Sequence, residues 1–464
     1  MKRTEFLQKS SFLSAAAAIG LPFNQAYIDK AKPHKKAKNI IFLVSDGMSI
    51  GTLNMTDIFL QRKEGRGTHW LNLYRENKVK RALMDTASAS SIVTDSAAAS
   101  SAWGGGVRVA NGALNVGANG ETYLPIWQKM KNVGKSVGCV TTVPITHATP
   151  AGFCVNSKSR RGQSEIAEMY LKLRFDVMMG GGEEYFSPEK REDKKDMFAA
   201  FKNANFQVAR QKSDLAKLNN TQPILGVFYE NGLPYSVDRN SSKELQERVP
   251  TLAEMTQTAI NAMKNNPKGF VLQVEAGKVD WAAHANDIAA IIHDQLAFDD
   301  AIKVALDFAD SNQETLVIIT TDHGNANPGI IYGDKANQQF DSIQQYKQSN
   351  EWILNGINKN STTSEVITRI AEAQSVIIKE VDAKMLLLNY LRLDEEELYN
   401  PRHLPFRRLA QLQSKTNSVG WISMDHSADF VELAAYGAGS ELLPAFVKNT
   451  DLHQLMLAAT EVKG

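Results

Sequence analysis

Asn39-Ile40-Ile41-Phe42-Leu43-Val44 runs unbroken in its apolar character and stops at Ser45-Asp46-Gly47-Met48. A continuous apolar run of this length fits a strand buried on both faces, the kind found in parallel sheets covered by helices on either side. Gly47 releases the chain into a turn, so the Asp46 carboxylate sits just past the strand's C-terminal end. In open α/β sheets that edge is where ligands bind. Taken alone, Asp46 is more simply read as a turn-capping aspartate.

The same order of apolar strand, ligand-type residue and turn recurs along the chain. Val137 to Val143 runs out into Pro144-Ile145-Thr146-His147-Ala148-Thr149-Pro150, with Arg160 and Arg161 following in a polar stretch. Phe270 to Glu275 leads into Glu275-Ala276-Gly277-Lys278-Val279-Asp280-Trp281-Ala282-Ala283-His284. Asp280 and His284 stand four apart, which on a helix puts a carboxylate and an imidazole on one face, within reach of one metal ion. Thr315 to Thr321 delivers Asp322-His323-Gly324, and Ser423-Met424-Asp425-His426-Ser427 precedes a closing strand from Phe430 to Tyr436. Phe175 to Met179 ends in Gly180-Gly181-Gly182, but no lysine-serine pair follows, so a P-loop is excluded. The expected fold is three-layer α/β/α, with a large, mostly parallel central sheet and the active site at the C-terminal ends of its strands. From about 335 to 417 the strand rhythm stops, and an inserted helical subdomain is expected there.

A second landmark is Ile92-Val93-Thr94-Asp95-Ser96-Ala97-Ala98-Ala99-Ser100-Ser101-Ala102. Its small, helix-forming residues allow a helix to begin directly after Asp95-Ser96, with unpaired N–H groups at an end that favours anions. Ser96 is therefore a candidate nucleophile that needs activation. From this stretch alone, a Ser/Asp cap on an alanine-rich packing helix is the plainer reading.

The chain has 464 residues, 43% hydrophobic and 22% charged, enough for a large core. Its 52 basic and 51 acidic residues give a formal charge of +1, so no global field draws in nucleic acid or an acidic membrane. Cys139 and Cys154 are open to either a disulfide or two buried thiols. A charged start at Met1-Lys2-Arg3, an alanine-rich apolar stretch from Phe12 to Phe23 and the small residues after it read as an export signal. Residues 1–35 are thus expected to be signal and linker, and 36–464 one domain carrying the insert. No other apolar run has the length of a membrane span. His34, His69, His293, His403 and His453 read as surface or core residues.

Asp46, Glu275, Asp280, His284, Asp322, His323 and His426 are more ligands than one zinc ion uses. Two zinc ions and a harder, oxygen-liganded ion such as magnesium are implied.

The Ser-Asp-Gly-Met at 45–48, Val-Thr-Asp-Ser-Ala-Ala at 93–98, Ala-Thr-Pro at 148–150, Val-Glu-Ala-Gly-x-x-Asp-x-x-x-His at 274–284, Thr-Asp-His at 321–323, and His426 resemble alkaline phosphatases in that chain order. The resemblance implies an exported phosphomonoesterase in which Ser96 is phosphorylated and then hydrolysed. It implies one zinc on Asp280, His284 and His426, a second on Asp46, Asp322 and His323, and magnesium on Asp46, Thr149 and Glu275. Arg160 falls where the family binds phosphate, with Arg161 as its neighbour. His147 and Trp281 occupy two substrate-side positions that vary within the family, and a homodimer is common in it. The competing expectations are a phosphodiesterase of the same superfamily and a non-catalytic metal- or phosphate-binding protein.

Overall fold

The computed structural model describes residue 28 and residues 32–219, 221–390 and 404–463. Most of the expected export segment, and His403, lie outside the described residues. Ten strands form one sheet: β1 (Asn39–Val44), β2 (Lys80–Asp85), β3 (Ser136–Pro144), β4 (Val177–Gly181), β5 (Gln207–Ala209), β6 (Ile224–Val227), β7 (Phe270–Glu275), β8 (Thr315–Thr320), β9 (Val431–Gly437) and β10 (Phe446–Lys448). Their order is β10-β2-β9-β8-β1-β7-β3-β4-β6-β5. β9 runs antiparallel to both its neighbours, and every other pairing is parallel.

β1 is buried at every position. Ile41 and Leu43 enter one apolar core while Ile40, Phe42 and Val44 enter the other, so the unbroken run is two alternating patterns, one per face. On the first face lie α1 (Ile50–Glu64), with Leu53 and Phe59 turned inward, and later helices carrying Met255, Ile260, Ile291 and Phe298. On the second lie α2 (Ser96–Gly105), through Ala97 and Trp103, and α3 (Ala148–Cys154), through Ala151 and Phe153. Three layers result.

Between Ile330 and Val419 the described chain is helical, through Ala336–Ser342, Asn350–Asn355, Thr363–Gln374, Glu380–Tyr390 and Phe406–Asn417. Phe340, Ile353, Ile370, Leu386 and Leu409 continue the core on the α1 face. Asp287 ties this region to the sheet layer: one carboxylate oxygen accepts from Ala290 N–H and the other from Asn350 N–H.

Two details go beyond the sequence reading. β2, Lys80-Arg81-Ala82-Leu83-Met84-Asp85, carries too many exposed charges to show a strand pattern, yet it pairs with β9 and β10. Cys139 and Cys154 are free, buried thiols with Sγ atoms 3.7 Å apart.

α2 and α3 cross at backbone contact distance. A Cβ on Gly152 would lie 2.1 Å from Ser100 Oγ, and one on Gly104 would lie 1.9 Å from Gly152 O. Gly152→Val should force these helices apart, at a cost of about 1–3 kcal/mol of stability. Thermal melting reads that loss, and kcat should fall with it, because Ser96 and Thr149 ride on the two helices.

Candidate active site and metal centre

β8, β1, β7 and β3 are consecutive parallel neighbours, so their C-terminal ends share one rim. Asp46 follows β1, Glu275 ends β7, Asp322 and His323 follow β8, and Thr149 lies in α3 just after β3. Asp280 and His284 sit on α4 (Lys278–His284). His426 arrives on a short antiparallel pairing of His426–Ser427 with Gly324–Asn325. The turn after Asp46 needs glycine twice over: Gly47 has φ +66°, and a Cβ there would lie 2.4 Å from Asp280 Oδ1.

These elements bring the predicted ligands together in three groups. In the first, Asp280 Oδ2 is 3.4 Å from His284 Nε2 and Asp280 Oδ1 is 3.5 Å from His426 Nε2. In the second, His323 Nε2 is 3.6 Å from Asp46 Oδ1 and 3.3 Å from Asp322 Oδ2. In the third, Thr149 Oγ1 donates to Asp46 Oδ2 at 3.2 Å, and His147 Nδ1 is 3.9 Å from Glu275 Oε1. Thr141 Oγ1 donates to the other oxygen of Glu275.

The donor set calls for cations. His284 Nδ1 faces Met424 O, His426 Nδ1 faces Thr94 O and His323 Nδ1 faces Gly324 O, so each ring gives its Nδ1–H to a carbonyl and turns Nε2 into the cluster. The Nε2 atoms of His284 and His426 lie 3.1 Å apart, a contact that needs either a proton or a cation between them. Asp46 Oδ1, Asp322 Oδ2, Glu275 Oε1 and His147 Nδ1 are buried without a hydrogen-bond partner; Asp46 groups with Asp280 and His323 and also with His147 and Glu275 at metal-holding separations, and Asp322 Oδ2 faces His323 Nε2. Burial, reinforced by the charges of Asp322, Asp280 and Glu275, holds the Asp46 carboxyl well above its ordinary range. Burial pushes Asp322 up to about 7 despite the Gly47 N–H it accepts. Burial also acts on Asp280, but the three neighbouring imidazoles outweigh it and hold that carboxyl well below the usual value. His323 is held well below its ordinary value, by burial and then by His426. So dense a set of buried acids and inward-turned imidazoles fits divalent ions.

Ser96 opens α2 and is 1% exposed, with Oγ 3.5 Å from His323 Nε2. Asp95 caps that helix through Ala98 N–H at 3.0 Å, and its other oxygen holds Arg160 Nη1 at 3.0 Å. Arg160 Nη2 lies 2.9 Å from His147 Nε2. Arg161 points away into solvent. Trp281 stands edge-on to His147, ring centres 6.4 Å apart, with Lys278 Nζ 4.6 Å from its own ring.

Sequence reasoning missed three groups. Asp95 was visible only as part of a cap, yet it also fixes the arginine. Thr141, inside a strand, carried no signal. Asn325 donates to Asp280 Oδ1 at 2.7 Å from a position that periodicity leaves unmarked.

The alkaline phosphatase family model matches residues 37–462. Alkaline phosphatase 4 of Bacillus subtilis is 30% identical over 451 residues, spanning 95% of this chain and 93% of that relative. The alkaline phosphatase of Escherichia coli K12 is 30% identical over 345 residues, 65% of this chain and 73% of that protein. The crystal structure of Thermus thermophilus alkaline phosphatase superposes with a TM-score of 0.87 at 30% identity, covering 96% of each chain. With the motifs, the rim and the whole span in agreement, the chain belongs to the alkaline phosphatase family and is a metal-binding hydrolase of phosphate monoesters.

Proposed function

We propose that Ser96 is the nucleophile and that hydrolysis runs through a phosphoserine on it. The observation that carries this reading is the position of Ser96 Oγ at the open end of α2, 3.5 Å from His323 Nε2 in the metal-ligand cluster. Ser96 Oγ bonds to phosphorus as the ester P–O bond breaks and the alcohol leaves; water then cleaves the phosphoserine, restoring the hydroxyl and releasing phosphate. Asp280, His284 and His426 would hold one zinc ion, Asp46, Asp322 and His323 a second, and Asp46, Thr149 and Glu275 a magnesium ion. When bound, the ions supply Lewis acidity, favouring the ionised serine and meeting charge on the phosphoryl oxygens.

The chain's own groups do the rest. The Ser96 and Ala97 N–H groups have no acceptor within the helix and favour an anion in front of it. Arg160, held in plane by Asp95 and His147, presents a guanidinium fork to two phosphoryl oxygens. Trp281 and His147 wall the substrate side. Arg160→Ala should lower kcat/KM about 10–100-fold, the worth of charge-assisted hydrogen bonds, and weaken product inhibition by inorganic phosphate; steady-state kinetics with added phosphate check both.

The deciding experiment combines metal analysis of purified protein with hydrolysis of a chromogenic monoester and a matching diester. Zinc content with strong monoester preference supports the assignment, whereas a preference for the diester overturns it. Export is supported by the charged start and the apolar stretch at Phe12–Phe23, and cell fractionation tests it. Residues 335–417 as an insert on a single domain, and a homodimer, complete the reading. Limited proteolysis and sedimentation address them.

A further inference from the structure

Ser49 occupies the N-cap position of α1, where a serine hydroxyl ordinarily accepts from the first turn of its own helix. It makes no such bond. The side chain, 4% exposed, turns the other way, into the loop that follows β8. Its Oγ accepts from Asn325 N–H at 3.0 Å, and its proton faces two acceptors, Asn325 O at 2.9 Å and Asn327 Oδ1 at 2.5 Å.

From there the bonds spread to every loop that carries a zinc-type ligand. Asn325 Nδ2 reaches Asp280 Oδ1, and its backbone pairs with that of His426. Asn327 Oδ1 also lies 3.4 Å from Ser427 Oγ, and Ala326 N–H donates to Asp425 O at 2.9 Å. On the near side, Gly47 N–H donates to Asp322 Oδ1 at 2.9 Å. Ala326 and Asn327 hold left-handed φ values of +55° and +43°, a costly conformation away from glycine that persists where surrounding bonds fix it. Buried carboxylates repel one another, and the loops bearing them splay unless something joins them.

We propose that Ser49 and Asn327 are positioning residues for the metal centre: their side chains lock the loops of Asp46, Asp280, Asp322-His323 and His426 at the separations that ions require. This rests on the ligand assignment proposed above. A serine at the N-cap position that makes no cap bond is explained by this second task.

The test is zinc affinity of the full chain, measured by competition with a chromogenic chelator, alongside the melting temperature of the stripped protein. Ser49→Ala should weaken zinc binding about 10–100-fold, the usual consequence of losing an outer hydrogen-bond partner, while stripped melting moves by only a few degrees. Asn327→Gly keeps the left-handed backbone and removes the acceptor, so it should weaken binding similarly. Asn327→Asp keeps the acceptor and should retain affinity within about threefold of the parent. Affinity unchanged in both Ser49→Ala and Asn327→Gly, or a fall in stripped melting with affinity intact, overturns the proposal. Absence of zinc binding in the parent chain instead removes the ligand assignment itself, so the two failures are read apart.

Discussion

Ser96→Ala should lower turnover of a phosphate monoester by about 1,000-fold and remove the acid-stable phosphoenzyme altogether. The size follows from what is lost. A covalent route needs its nucleophile, and deleting one leaves only the rate that binding and charge stabilisation supply. What remains is also predictable. Asp95 still caps α2 through Ala98, alanine is the stronger helix former, and Ser96 belongs to none of the ligand groups. Melting temperature and zinc content should therefore match the parent. Acid quenching after exposure to labelled phosphate reads the phosphoenzyme directly, and label retained in the variant would sink the assignment of Ser96.

Chelation has the other large effect, and its pH dependence has a definite sign. Stripping the ions should abolish turnover, and added zinc should restore it. In the ion-free protein Asp322 keeps its proton up to about 7, against 3.8 for an ordinary aspartate, so the folded chain binds more protons across that window. Its stability therefore falls as pH rises from about 4 to about 7 and stays low above. His426 acts in the same direction. Burial opposes its charge, but Asp280 raises it to about 9, so the stability it gives is full below 6.5 and is lost as pH climbs through 9. Bound ions replace those protons. The melting-temperature gap between loaded and stripped protein should widen from pH 5.5 to 9, and zinc affinity should drop up to about tenfold per pH unit below about 7 for each proton displaced. A gap that narrows with rising pH contradicts the cluster described.

The strands of the rim were legible because burial on both faces leaves them mostly apolar, with Gln273 in β7 and Thr141 and Thr142 in β3 among the polar exceptions. Asp46, Glu275 and Asp322 stand out by contrast with the apolar residues before them. Asp280 and His284 were legible through helical spacing. His426 was not, on its own terms: it sits on a two-residue strand in a polar stretch and gains meaning only beside His284. β2 stayed hidden because Lys80 and Arg81 face solvent near the sheet's edge. Asn325 and Thr141 act on ligands far away in sequence, through single hydrogen bonds that no local pattern encodes.

Asp280 and His426 face one another across 146 positions, and β9, which follows His426, is wedged between β2 and β8. A growing or truncated polypeptide that lacks this C-terminal piece offers two of the three donors and an unfinished sheet. At that one group of donors, capture of an ion is thereby deferred until the C-terminal piece has closed the sheet, so an ion held there reports a completed fold.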